Sequence, residues 1–393
     1  MNYALSKTMH EAMRLMQTGD LHAATTAIQE GLTGAEDLSA FRPGYARRAP
    51  VKPWIDAECR VLDISDPEPI TDHPDLEPPR EVREPTGEQF QRHSFTCAAG
   101  TRQYKLFIPK GHLGRQLPLL VMLHGCTQSP DDFARGTRMN QLAEEEGYYV
   151  VYPAQAASDN PTKCWNWFRP ADQCRDRGEP AIIAELTRHV VRVHRLDPAR
   201  VYVAGLSAGA AMAVILARTY SDIYAAAGVH SGLPYGSAHD VPSAFAAMKQ
   251  GSGISVAGTK AIDQALGAPV PAIVFHGDRD HVVDAHNGDI VIAQSMASFG
   301  DSVWNADLYG ANDKQVARGV VPGGYSYTRT MLLDPQGRVI AEQWLVHGAG
   351  HAWFGGDPTG SYTDPKGPDA SAEMLRFFAL HERKEPQSHN RGS

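Results

Sequence analysis

Apolar positions along this chain fall into three regimes. Over residues 1–33 they recur at helical spacing: Met9, Met13 and Met16 share one face, and Leu21, Ala24, Ile28 and Leu32 share another. Asp20, just after Thr18-Gly19, is placed to cap the second run, so the spacing predicts two short amphipathic helices in a hairpin. Two short helices cannot cover their own apolar faces. The hairpin is therefore expected to pack on the main domain or to pair with a second copy, giving a homo-oligomer. From 34 to 87 the periodicity disappears. Nine of the 27 prolines lie between Pro43 and Pro85 among acidic residues, which predicts an extended linker or strap.

The third regime, 88–383, alternates between short apolar runs and helical patterns, and 384–393 is a polar tail expected to be disordered. The runs 89–97 and 102–110 flank Ala98-Ala99-Gly100 and read as a β-hairpin. LPLLVMLHG (117–125) is continuously apolar, as a strand buried on both faces must be. A helical stretch over 131–146 and the strand YYVVYP (148–153) follow. Ile182, Ile183, Leu186, Val190 and Val193 mark a helix over 179–195. VYVAGLS (201–207) is a strand with a helix behind it, and 225–232 and 271–277 complete the strands of the core. This rhythm implies an α/β fold: a mostly parallel central sheet with helices on both faces. Ligands of such sheets sit at the carboxyl ends of the strands.

Charge and cysteine content narrow the partners. The net charge is −8, from 37 basic and 45 acidic residues with no basic run, which argues against nucleic acid. No apolar stretch reaches the ~18 residues needed to span a bilayer, so no membrane partner is expected. The N-terminal segment lacks the uninterrupted apolar region of a secretory leader, which leads to the expectation of a cytoplasmic protein, or of a secreted one if a leader was removed. The five cysteines include no C-x-x-C pair, so no structural zinc site is expected. Cys126 and Cys164 fall on loops at the same end of the sheet, where a disulfide can bridge them.

The candidate chemistry lies on those loops. Gly205-Leu206-Ser207-Ala208-Gly209 stands directly between an apolar strand and a helical run. That context makes it a nucleophile elbow, a tight strand-to-helix turn that lifts a serine oxygen above the sheet, and places the chain in the α/β-hydrolase fold. A serine needs a base and an acid to orient the base, in the order serine, acid, histidine for this fold. Asp278, Asp280 and Asp284 follow the strand 271–277 and compete for the acid; Asp280 is placed best to reach back across the strand ends, whereas Asp278 shapes the turn. His351 follows the loop Gly348-Ala349-Gly350 and precedes an expected helix, while His347 still belongs to the strand. Ser207, Asp280 and His351 are thus the expected catalytic residues. The oxyanion donors are expected to be the backbone N–H groups of Ala208 and of Cys126 in the loop after strand 117–125. Trp165, Trp167, Tyr235 and Trp353 are expected to wall a substrate pocket. His124, His276, His281 and His351 are better explained singly than as ligands of a metal, and no H-E-x-x-H motif is present.

The segments LHGCTQSPDDFARGTRMNQLAEEEGYYVVYPAQ, NPTKCWNWF, RVYVAGLSAGAAMA, HSGLPYG, HGDRDHVVD and GAGHAW occur in that order. Over about residues 95–380 they resemble the polyhydroxybutyrate depolymerase family of esterases, among whose relatives are feruloyl and acetyl xylan esterases. The resemblance implies the same triad and oxyanion residues and no metal or organic cofactor. It implies hydrolysis of polyhydroxybutyrate-type polyesters, hydroxyacid oligomers or short-chain esters; the alternative is a feruloyl or acetyl xylan esterase.

Overall fold

The computed structural model describes residues 89–111, 115–251, 270–297 and 314–383. The expected helical hairpin (1–33), linker (34–87) and tail (384–393) lie outside the described residues.

A ten-stranded sheet forms the centre, in the order β1-β2-β4-β3-β5-β6-β7-β10-β9-β8. Its strands are β1 (Phe90–Cys97), β2 (Gly100–Phe107), β3 (Leu119–Leu123), β4 (Tyr149–Pro153), β5 (Val201–Leu206), β6 (Ala226–His230), β7 (Ala272–Gly277), β8 (Lys314–Val320), β9 (Ser326–Leu333) and β10 (Val339–His347). The run from β4 through β3, β5, β6 and β7 to β10 is parallel. The hairpin β1–β2 adds to one edge and β9–β8 to the other, both antiparallel. The chain goes from β3 to β4 on one side and returns to β5 on the other. The order therefore reverses at β3, and the loops leaving β3 and β5 border the crevice that such a switch opens.

Every residue of β3, β5, β6 and β7 is buried, because helices cover both faces. Successive side chains point to opposite faces. Leu119, Val121 and Leu123 join a core with α3 (Gly178–His194) and α4 (Ala208–Thr219), through residues such as Ile183 and Met212. Leu120 and Met122 join the opposite core with Phe133 of α1 (Pro130–Thr137), Met139 of α2 (Met139–Glu146) and Phe378 of α7 (Ala370–Phe378). The capped helix α5 (Val241–Gln250) and α6 (His286–Ala297) complete the layers. Among the described residues no helix is long and apolar enough to cross a membrane.

Two expectations are corrected. The single helix over 131–146 is two, because Arg138 adopts φ 54° and ends the first while starting the second. The helix expected straight after His351 does not form there. Trp353–Phe354 (β11) pairs instead with Thr363–Asp364 (β12), and the helix starts only at Ala370, capped by Asp369.

Candidate active site

Ser207 sits between β5 and α4 with φ 57° and ψ −119°, a conformation an L-residue adopts only when its surroundings hold it there. Its N–H donates to His230 O at 2.9 Å, and its carbonyl accepts the Ala211 N–H at 2.9 Å. The flanking glycines are required by close approach. A Cβ on Gly205 would strike the backbone of Gly209 and Ala210, and one on Gly209 would strike the carbonyls of Leu123 and His124. Strand, turn and helix are packed backbone to backbone, which is what the G-x-S-x-G spacing provides.

Asp280 follows β7 and His351 follows β10, its parallel neighbour. His351 Nδ1 lies 2.7 Å from Asp280 Oδ2. Asp280 Oδ1 accepts the N–H groups of Val282 and Val283, each at 2.9 Å. Burial works against charge on this carboxyl, but the facing His351 and the hydrogen bonds from His276 and His351 outweigh it and hold it well below the usual carboxylate range. An ionised acid on Nδ1 leaves Nε2 of His351 as the basic nitrogen.

The other two aspartates do different work. Asp278 is exposed; it accepts the Gly348 N–H at 2.7 Å and pairs with His347 Nδ1 at 3.0 Å. Asp284 Oδ1 caps the His286 N–H at 2.9 Å.

His230, at the end of β6, links the serine to the histidine loop. Its carbonyl holds Ser207, its Nε2 accepts the Phe354 N–H at 3.1 Å, and its ring stacks on Trp353 with centroids 5.0 Å apart. Burial, then the neighbouring imidazoles of His276 and His351, push its pKa well below the ordinary histidine value, so the ring is neutral. The sequence gives His230 no role, since its partners lie far along the chain. Ser207 Oγ and His351 Nε2 are not hydrogen-bonded to each other here.

Ala208 is the first residue of α4, so its N–H has no intrahelical acceptor and points out of the positive end of the helix. The loop after β3 brings up Cys126, which is disulfide-bonded to Cys164 as expected. The neighbouring N–H groups are committed: Gly125 donates to Gln128 Oε1 (2.8 Å), Thr127 to Thr162 O (2.7 Å) and Gln128 to Gly125 O (3.3 Å). The loop is held from below by His124. Its Nδ1 bonds Gly125 O at 2.7 Å, and its Nε2 accepts the Gln155 N–H at 3.1 Å. Burial pushes the His124 pKa down to about 4.

Two of the four expected pocket walls, Trp165 and Trp353, need correction. Trp165 and Trp353 are fully buried at 0% exposure. Their indole N–H groups donate to His124 O and Ser371 Oγ, both at 3.0 Å, so these rings brace the two loops from within the core. Trp167 is also buried, edge-on to Phe168. Tyr235 is half-buried, with its hydroxyl donating to Gln173 O at 2.8 Å.

Sheet order, elbow and the chain order Ser207, Asp280, His351 at the ends of β5, β7 and β10 define an α/β-hydrolase. Among solved structures, the acetyl xylan esterase from Aspergillus awamori shares this fold, with a TM-score of 0.56 at 19% identity over 74% of this chain and 99% of that one. Residues 102–310 match the model of the esterase PHB depolymerase family, and the chain belongs to that family. It is 35% identical over 268 residues to poly(3-hydroxyalkanoate) depolymerase C of Paucimonas lemoignei, covering 66% of this chain and 61% of the relative. It is 29% identical over 262 residues to poly(3-hydroxybutyrate) depolymerase of Ralstonia pickettii, covering 63% and 50%. Probable acetylxylan esterase A of Neosartorya fischeri is 28% identical over 200 residues, covering 48% and 53%. The chain thus spans only about half to three-fifths of the length of these relatives.

Proposed function

We propose that this chain is a serine carboxylic ester hydrolase acting on polyhydroxybutyrate-type polyesters, hydroxyacid oligomers or short-chain esters. The observation that carries this reading is the 2.7 Å contact between His351 and an ionised, buried Asp280, at strand ends of the same sheet whose β5 ends on the strained Ser207. Its support in sequence is the family to which residues 102–310 belong.

His351 Nε2 takes the proton from Ser207 Oγ as the oxygen attacks the ester carbonyl. The N–H groups of Ala208 and Cys126 receive the developing oxyanion. Asp280 stabilises the imidazolium. The alcohol leaves with the proton from His351, and the acyl group stays on Ser207. Water, deprotonated by His351, then attacks the acyl-enzyme, and the acid departs as Ser207 recovers its proton.

A second reading, a feruloyl or acetyl xylan esterase, is supported by relatives bearing those names. Turnover on 3-hydroxybutyrate oligomers, methyl ferulate and acetylated xylan, with Ser207→Ala as control, tests both. The proposal expects the oligomers to turn over fastest and Ser207→Ala to lose at least about 10³-fold in kcat with its fold intact. Preference for ferulate or acetyl xylan would transfer the assignment to the second reading. Full activity of Ser207→Ala would remove the nucleophile.

A further inference from the structure

His276 lies on β7 with its side chain wholly buried, and the hydrolytic steps above give it no task. Its surroundings are specific. Nε2 is 2.9 Å from Val283 O and 3.5 Å from Asp280 Oδ2. Nδ1 is buried and, among the described residues, has no hydrogen-bond partner. On that side Gly288 of α6 leaves room, since a Cβ there would stand 3.2 Å from Nδ1. A carbonyl and a carboxylate can only accept, so the ring proton is assigned to Nε2.

Leucine or phenylalanine would fill this volume without stranding a ring nitrogen, and a buried nitrogen without a partner is destabilising. What histidine adds is one N–H aimed into the turn that carries Asp280. The Val282 and Val283 N–H groups tie Oδ1 to the turn itself. They do not tie the turn to the sheet. Backbone bonds from the N–H groups of Asp278 to Val346 O, of Arg279 to Ala349 O and of Asp280 to Gly277 O hold the start of the turn; the Val283 carbonyl lies at its far end, which the bond to His276 anchors to β7. Oδ2, the oxygen that faces His351, is bordered by the same N–H.

We propose that His276 is a positioning residue for the acid–base pair, its Nε2–H pinning the Val283 carbonyl and bordering Asp280 Oδ2 so that Oδ2 stays on His351. It acts through Asp280 and touches no substrate. The proposal rests on the reading of Ser207, His351 and Asp280 as a hydrolytic site. Without the N–H, the turn shifts and the reacting geometry suffers while substrate binding does not. Small misplacements of this kind cost up to about 10²-fold in rate.

The test is kcat and KM on p-nitrophenyl butyrate, with melting curves, for the wild type, His276→Leu, His276→Gln, Asp280→Asn and the double variant His276→Leu/Asp280→Asn. Glutamine carries an N–H donor at nearly the reach of Nε2. We expect His276→Leu to lower kcat by roughly 10- to 100-fold with KM within about threefold, and His276→Gln to restore most of the loss. In the Asp280→Asn background, His276→Leu should cost less than about threefold more, because the two residues act as one unit. Unchanged kcat in His276→Leu, no rescue by glutamine, or losses that multiply in the double variant would each overturn the proposal. Should His276→Leu fail to fold, His276→Asn, polar but too short to reach Val283 O, takes its place with the same expected losses. Full activity of Asp280→Asn would instead overturn the site reading itself.

Discussion

Three aspartates follow β7, and only their partners separate them. Asp280 faces His351, Asp278 faces His347 and Gly348, and Asp284 caps α6. Asp280→Asn is therefore expected to lower kcat by roughly 10³- to 10⁴-fold, since an amide neither stabilises the imidazolium nor enforces the tautomer. Asp278→Asn and Asp284→Asn should stay within about tenfold of the wild type, as steady-state kinetics on a soluble ester would reveal. A greater loss in Asp284→Asn would move the acid along the loop. At this scale the Asp280–His351 pair and the elbow at Ser207 were legible, because loop position and chain order follow from where the strands end. His230 and His276 were not legible as supports: each works through residues brought near only by the fold, such as Phe354 and Val283. Trp165 and Trp353 misled for a related reason. An aromatic residue on a loop reads as a pocket wall until its N–H is seen to hold a carbonyl or a hydroxyl, as Trp165 and Trp353 do.

Among the elements, the buried parallel strands were legible because burial on both faces demands unbroken apolar runs such as 119–123 and 201–206. The antiparallel extension through β9 and β8 was not. β8 is mostly exposed and β9 mostly half-buried, so neither imposes a strong apolar pattern. The division of 131–146 was hidden as well, since it rests on one backbone angle at Arg138. The loop after β3 depends on the disulfide between Cys126 and Cys164, which also bears the proposed oxyanion donor. Replacing both cysteines by alanine removes a cross-link over a separation of 38 residues, whose contribution to stability is up to about 4 kcal/mol. The same change frees the Cys126 N–H to wander, and misplacing one oxyanion donor costs roughly 10²- to 10³-fold in kcat. Thermal melts and kcat of the double variant check both effects. A lowered melting temperature with unchanged kcat would show that the donor lies elsewhere.

For the whole molecule, His124 and His230 make stability depend on pH. His124 titrates at about 4 when folded, against an ordinary value of 6.5, because burial disfavours its charge. Below 6.5 the unfolded chain takes up a proton that the folded chain refuses. Stability is therefore level above pH 6.5 and falls as pH drops toward 4, by about 3 kcal/mol from this residue alone. His230 is displaced in the same direction and adds to the fall. Asp280, with its depressed pKa, contributes stability that is present above the unfolded carboxylate value near 4 and is lost as pH falls further toward its folded value. Chemical denaturation at pH 7.5, 5.5 and 4.5 should show a steep acid decline that His124→Asn makes shallower. An identical slope in that variant would contradict the buried neutral state of His124.

The assignment of Ser207 as the nucleophile is tested most directly by covalent labelling. The protein is treated with a serine-directed phosphonate, p-nitrophenyl ester hydrolysis is followed, and the labelled peptide is identified by mass spectrometry. One phosphonate per chain on Ser207, with activity falling in proportion, is the expected result, and His351→Ala should slow the labelling sharply. Label on another residue, or full labelling of Ser207 with hydrolysis unaffected, would contradict it.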